Sequence, residues 1–154
     1  MKMHGTVLMA AVAVVALGCT SRVVREAGGD VDVSATSGGE DWGGGIRGIG
    51  GWSDLRGSAY ARPTDTGTTV SLTIERGIAG AAYSWEVLEG TCGSQGRPLA
   101  EISTLPGVFL DKTGRGFAVG ALPLKLERGR QYHINVYTSV DKRDSPIACG
   151  AITN

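Results

Sequence analysis

The chain has 154 residues, of which 25 are glycine, with 42% hydrophobic, 6% aromatic and 19% charged residues, a length that fits one domain of ordinary size. Fifteen Lys and Arg balance fifteen Asp and Glu, so no basic field exists to hold a phosphate backbone, and nucleic acid is excluded as an expected partner. Glycine makes up about a sixth of the chain, against a usual share of roughly 7%, which favours turns and connections over long helices.

Residues 1–18 have the organisation of a secretory signal. Lys2 supplies a positive start, and residues 7–17 form an eleven-residue apolar run, short of the about 20 residues a membrane-spanning helix needs. The run closes on Ala16-Leu17-Gly18-Cys19, which resembles the lipobox of bacterial lipoproteins, with Ala16 where that family usually has Leu. The resemblance implies cleavage before Cys19, lipidation of Cys19, and a membrane as partner through that lipid anchor. Thr20, rather than Asp, after the cysteine directs the expected localisation to the outer membrane of a bacterial cell envelope. Loss of residues 1–18 removes Met1, Met3, Met9 and His4, leaving His133 as the remaining imidazole. With Cys19 committed to lipid, Cys92 and Cys149 stay in an oxidising compartment with only each other to pair with.

Residues 27–57 hold eleven glycines and almost no hydrophobic periodicity. The expected organisation is therefore a signal over 1–18, a flexible Gly-rich tether over 19–52 and a folded domain over 53–154. Gly43, Gly45 and Gly48 satisfy G-x-G-x-x-G, but no strand is expected before them and no helix after, so they read as flexible glycine and not as a dinucleotide fingerprint. Trp42 and Trp52 flank these glycines and are expected to dock on the protein's own domain.

From Ser53 onward the hydrophobic period becomes two. Residues 55–62 and 68–75 form a hairpin around Pro63-Thr64-Asp65-Thr66-Gly67, with Val70, Leu72 and Ile74 alternating against Thr69, Ser71 and Thr73. Residues 81–88 follow, with Tyr83, Trp85 and Val87 on one side and Ser84, Glu86 and Leu88 on the other. Further strands are expected over 107–110, 116–126, 131–138 and 147–152, with no amphipathic helix between them. The pattern predicts an all-β fold, an antiparallel Greek-key β-sandwich or flattened barrel of about seven or eight strands.

Tyr83-Ser84-Trp85-Glu86-Val87-Leu88-Glu89-Gly90-Thr91-Cys92-Gly93, Tyr132-His133-Ile134-Asn135-Val136-Tyr137 and Ala148-Cys149-Gly150-Ala151-Ile152 together resemble the copper/zinc superoxide dismutase superfamily. In that family one strand carries His-x-His, a loop cysteine follows, a later strand adds a further copper histidine, and the chain ends in Ala-Cys-Gly with its cysteine bridged to the loop. The resemblance covers about residues 53–154. It implies a superoxide dismutase-like barrel with Cys92 bridged to Cys149.

It also implies a degenerate metal site. The His-x-His pair falls on Glu86 and Leu88, and the later copper histidine on Tyr137. Residues 93–107, which match the zinc-ligand loop, hold no histidine and only Glu101 as a carboxylate. A redox copper site takes several imidazoles and zinc takes four N, S or O ligands, so a single imidazole leaves no expected metal and no cofactor. His133 is expected to be an ordinary surface or hydrogen-bonded histidine. Glu86, Glu89, Asp141 and Asp144 follow no calcium-loop order and read as a solvated acidic edge. The turn Asp141-Lys142-Arg143-Asp144 likewise reads as solvated. No nucleophile-elbow pattern frames Ser84, Ser94 or Ser139.

The sequence thus predicts an envelope lipoprotein, not an enzyme, whose metal-free dismutase-like domain acts as a binding or structural module toward an envelope protein or ligand. The alternative is a dismutase-related metal-binding protein with an unorthodox site, for instance His133 with a carboxylate.

Overall fold

In the computed structural model, which describes residues 41–154, the alternation becomes one antiparallel sheet of eight strands. The strands are β1 (Trp42–Gly48), β2 (Arg56–Pro63), β3 (Thr68–Glu75), β4 (Ala82–Glu89), β5 (Val108–Phe109), β6 (Gly116–Leu122), β7 (Tyr132–Tyr137) and β8 (Ala148–Ile152). The only helical pieces among the described residues are two 3-10 turns, Gly50–Trp52 and Ile102–Thr104. The strand order is β5-β4-β7-β8-β1-β2-β3-β6. β1, β2 and β3 follow one another as hairpins, whereas the pairs β3–β6, β4–β7 and β1–β8 join strands distant in the chain, the mark of Greek-key connection. A turn closed by Asp111 N–H on the Arg115 carbonyl at 2.8 Å carries β5 into β6. It brings the two end strands of the sheet together, so that the sheet curls into a nearly closed barrel.

Alternation decides what fills the barrel. Val70, Leu72 and Ile74 on β3, Trp85 and Val87 on β4, and Ile134 and Val136 on β7 are completely buried. Each such side chain contributes roughly 1.5–3 kcal/mol relative to its exposed state. Trp85 has the further tie of its indole N–H donating to the Pro106 carbonyl at 2.7 Å, which draws the 102–106 segment over one end of the core. β6 stops at Leu122, short of the expected 126, because Pro123 has no N–H to continue the ladder.

The expected start of the domain at residue 53 is corrected. β1 lies inside the region read as tether, pairing along its length with β2 and at Arg47 and Gly48 with β8. Two of its glycines are close-packing positions: a β-carbon on Gly44 would lie 1.8 Å from the Ala151 carbonyl oxygen, and one on Gly48 would lie 1.7 Å from the Trp52 carbonyl oxygen. β1 therefore needs glycine where β8 approaches, and Gly43, Gly45 and Gly48 are strand residues, not flexible ones. Trp42 is buried edge-on against Tyr132, with ring centroids 5.4 Å apart, and Trp52 sits edge-on to Tyr83 at 6.0 Å. Both tryptophans dock on the domain itself. The expected signal, the lipidation site Cys19 and the tether up to residue 40 lie outside the described residues.

Candidate functional site

The outward face of β4 and β7 carries Glu86, Leu88, His133, Asn135 and Tyr137, as period-two geometry requires. The register sets Ser84 opposite Tyr137, Glu86 opposite Asn135 and Leu88 opposite His133. This face is nevertheless buried: His133 is 0%, Tyr137 1%, Glu86 2% and Leu88 6% exposed. The cover is the long connection after β4. Gly90 and Gly93 take positive φ angles of 95° and 87° and turn the chain back. The Glu89 and Leu99 amides then bond the carbonyls of Arg97 and Val87 at 3.0 and 2.9 Å, laying 97–99 along the β4 edge. Cys92 is bonded to Cys149 of β8 with Cα atoms 5.9 Å apart, which pins the same connection across β7.

Beneath that cover lies a buried polar network. The Tyr137 hydroxyl donates to Glu86 Oε1 at 2.5 Å, Arg143 Nη2 donates to Glu86 Oε2 at 2.7 Å, and Asn135 Nδ2 donates to the Tyr137 oxygen at 3.1 Å. The Glu86 side chain is 3% accessible and that of Arg143 42%, so a guanidinium reaches from solvent to a carboxylate the barrel has buried. Burial first, and the bond to Glu86 next, push the Tyr137 phenol far above its ordinary value. The bond to Glu86 likewise raises Arg143. An open groove of about 530 Å³ lies over the network, walled by Glu86, Leu88, Asn135, Tyr137, Arg143 and Asp144 among others.

The positions matched to copper ligands, Glu86, Leu88 and Tyr137, therefore share one groove, but their chemistry does not fit the metal. Leu88 has no lone pair, Tyr137 is held as a neutral phenol, and each Glu86 oxygen is engaged by an internal donor. Among the described residues no three His, Cys, Asp or Glu side chains come together in a group that fits a metal ion. His133 departs from its expected role: it is wholly buried, and neither ring nitrogen has a hydrogen-bond partner. It is neither a surface nor a hydrogen-bonded histidine, and it does not line the groove.

The solvated acidic edge is also corrected, since Glu86 is buried and Glu89 pairs with Arg97 at 2.7 Å and Arg130 at 3.4 Å. Arg143 leaves its turn to hold Glu86, a role that local sequence did not signal. Asn135 was within reach of sequence reasoning, since alternation puts it on the face of Tyr137. Ser94 is occupied locally, its hydroxyl donating to the Thr91 carbonyl at 2.6 Å and accepting from the Thr91 amide at 3.1 Å. A second cleft of about 290 Å³ lies beside Trp42, Arg130 and Tyr132.

No known protein family matches the chain, and no curated protein is significantly similar to it.

Proposed function

We propose that this protein is a lipid-anchored component of the bacterial cell envelope whose dismutase-like domain works as a metal-free binding module and not as an enzyme. The eight-stranded Greek-key sheet and the Cys92–Cys149 bridge support the dismutase likeness, and Ala16-Leu17-Gly18-Cys19 supports the anchor. The observation that carries the reading is the occupation of Glu86. Where the family would hold a metal, this chain holds a carboxylate neutralised by its own Arg143 and capped by its own Tyr137. A groove stays open above them, as a module that recognises a ligand or partner requires.

Elemental analysis of gently purified protein, read together with superoxide consumption, tests this. Copper and zinc well below one equivalent per chain and a rate no higher than buffer are expected. Stoichiometric copper with superoxide turnover would overturn the proposal. Detergent partitioning tests the anchor: the wild type should enter the detergent phase and Cys19→Ser should not, because each buried methylene of an acyl chain contributes about 0.8 kcal/mol.

A further inference from the structure

The groove over β4 and β7 is built for positive charge. Glu86 and Asp144 face it, Arg143 is the cation among its lining residues, and Glu101 stands with Arg143 in the cleft beside it. Glu101 also adds to the negative field acting on the Arg143 guanidinium. The hydrogen-bond order leaves one acceptor over. The Tyr137 proton is committed to Glu86, so its oxygen accepts from Asn135 Nδ2, and Asn135 Oδ1 is left buried with no donor. A carboxylate, an unpaired amide oxygen and a flanking acid form a set that cationic N–H groups satisfy, and a planar guanidinium does so best.

We propose that this groove receives the alkylguanidinium or alkylammonium group of another molecule, with Arg143 acting as the chain's own stand-in for that group. The inference rests on the binding-module reading and names its ligand chemistry. The incoming cation takes Glu86 Oε2 and Asn135 Oδ1 while Arg143, already 42% accessible, moves out to solvent. One charge-assisted bond is lost and one gained, so Arg143 lowers the apparent affinity by the fraction of time it holds the site. The groove's volume of about 530 Å³ and its apolar walls at Ile49, Leu88, Pro98 and Pro146 leave room for chain on either side of the charge. An arginine within an extended peptide fits that shape.

Calorimetric titration of the full-length protein in detergent with acetyl-Gly-Arg-Gly-amide, against the peptide with citrulline in place of arginine, tests the proposal. The arginine peptide should bind Arg143→Ala at least tenfold more tightly than wild type, and the citrulline peptide should bind neither. Arg143→Gln, whose amide still donates to Glu86, serves if the alanine variant does not fold. Adding Glu101→Gln and Asp144→Asn should weaken binding severalfold. Agmatine distinguishes the source of the cation: weaker binding than the peptide supports a protein ligand, and equal binding supports a free small cation in the same site. No gain on removing Arg143, or equal binding of the citrulline peptide, overturns the proposal. Because metal content is measured separately, a metal-free protein that shows no gain loses this inference alone, whereas stoichiometric copper with turnover removes the reading beneath it.

Discussion

Tyr137 on β7 donates a hydroxyl hydrogen bond to Glu86 on β4 at 2.5 Å, diagonally across a register that sets Glu86 opposite Asn135 and Tyr137 opposite Ser84. Because Glu86 Oε2 is taken by Arg143, the carboxylate is neutralised from one side and capped from the other. A charge that would cost several kcal/mol to bury unpaired is thereby accommodated on the outer face of a barrel.

That bond predicts an alkaline weakness. The folded phenol is raised above the unfolded value of about 10, so its contribution is present in full below about pH 10 and is lost as pH rises beyond that, when the unfolded chain releases the proton first. Urea midpoints of the wild type should fall above about pH 10. Tyr137→Phe should flatten that fall while costing roughly 1–3 kcal/mol at neutral pH through the donor lost to Glu86. Equal alkaline slopes for the two proteins would refute it.

The bridge from Cys92 to Cys149 closes a loop with a sequence separation of 57 residues, for which chain entropy gives an upper value of about 4 kcal/mol. Cys149→Ala, or reduction, should cost roughly 2–5 kcal/mol in urea unfolding. The outer face of β7 should also become exposed, read as faster amide exchange at His133 and Asn135. Unchanged midpoints with and without reductant would show that the cover holds without the bond.

Two neighbouring glycines separate a packed β1 from a loose one. A β-carbon at Gly44 meets the Ala151 carbonyl at 1.8 Å, whereas one at Gly45 meets nothing within 4 Å. Gly44→Ala should therefore destabilise by about 1–3 kcal/mol, the usual cost of overpacking, with Gly45→Ala close to neutral. Thermal unfolding compares them directly, and equal effects would contradict β1 closing against β8.

Leu88 stands opposite His133 in the β4–β7 ladder, where cross-strand β-carbons lie about 4.5–5.5 Å apart. Leu88→His should thus set two imidazoles side by side, and zinc affinity measured by competition with a chromogenic chelator should rise at least tenfold. An unchanged affinity would mean that the buried His133 does not turn toward its neighbour.

Strands β2 to β8 were legible because alternation is a local property. Val70, Leu72 and Ile74 announce their buried face within eight residues of β3, and Glu86, Leu88, Asn135 and Tyr137 could be assigned to faces by the same period. β1 was not legible, since its glycines carry no apolar pattern. Gly44 is demanded by β8, more than a hundred residues later, where a β-carbon would meet the Ala151 carbonyl oxygen at 1.8 Å. Nor was the burial of the outward face. Alternation says which way Glu86 and His133 point, but whether water lies there depends on the 90–107 connection folding back and on the disulfide that pins it. The ion pair that defines the groove joins residues 57 apart in sequence. The sequence by itself determined strands β2 to β8, their faces and the residue types that meet at the groove, because these follow from the chemistry of adjacent residues. Barrel closure, the cover over β7 and the capture of Glu86 by Arg143 were decided only by tertiary structure, because each is a contact between segments that the chain keeps far apart until it folds.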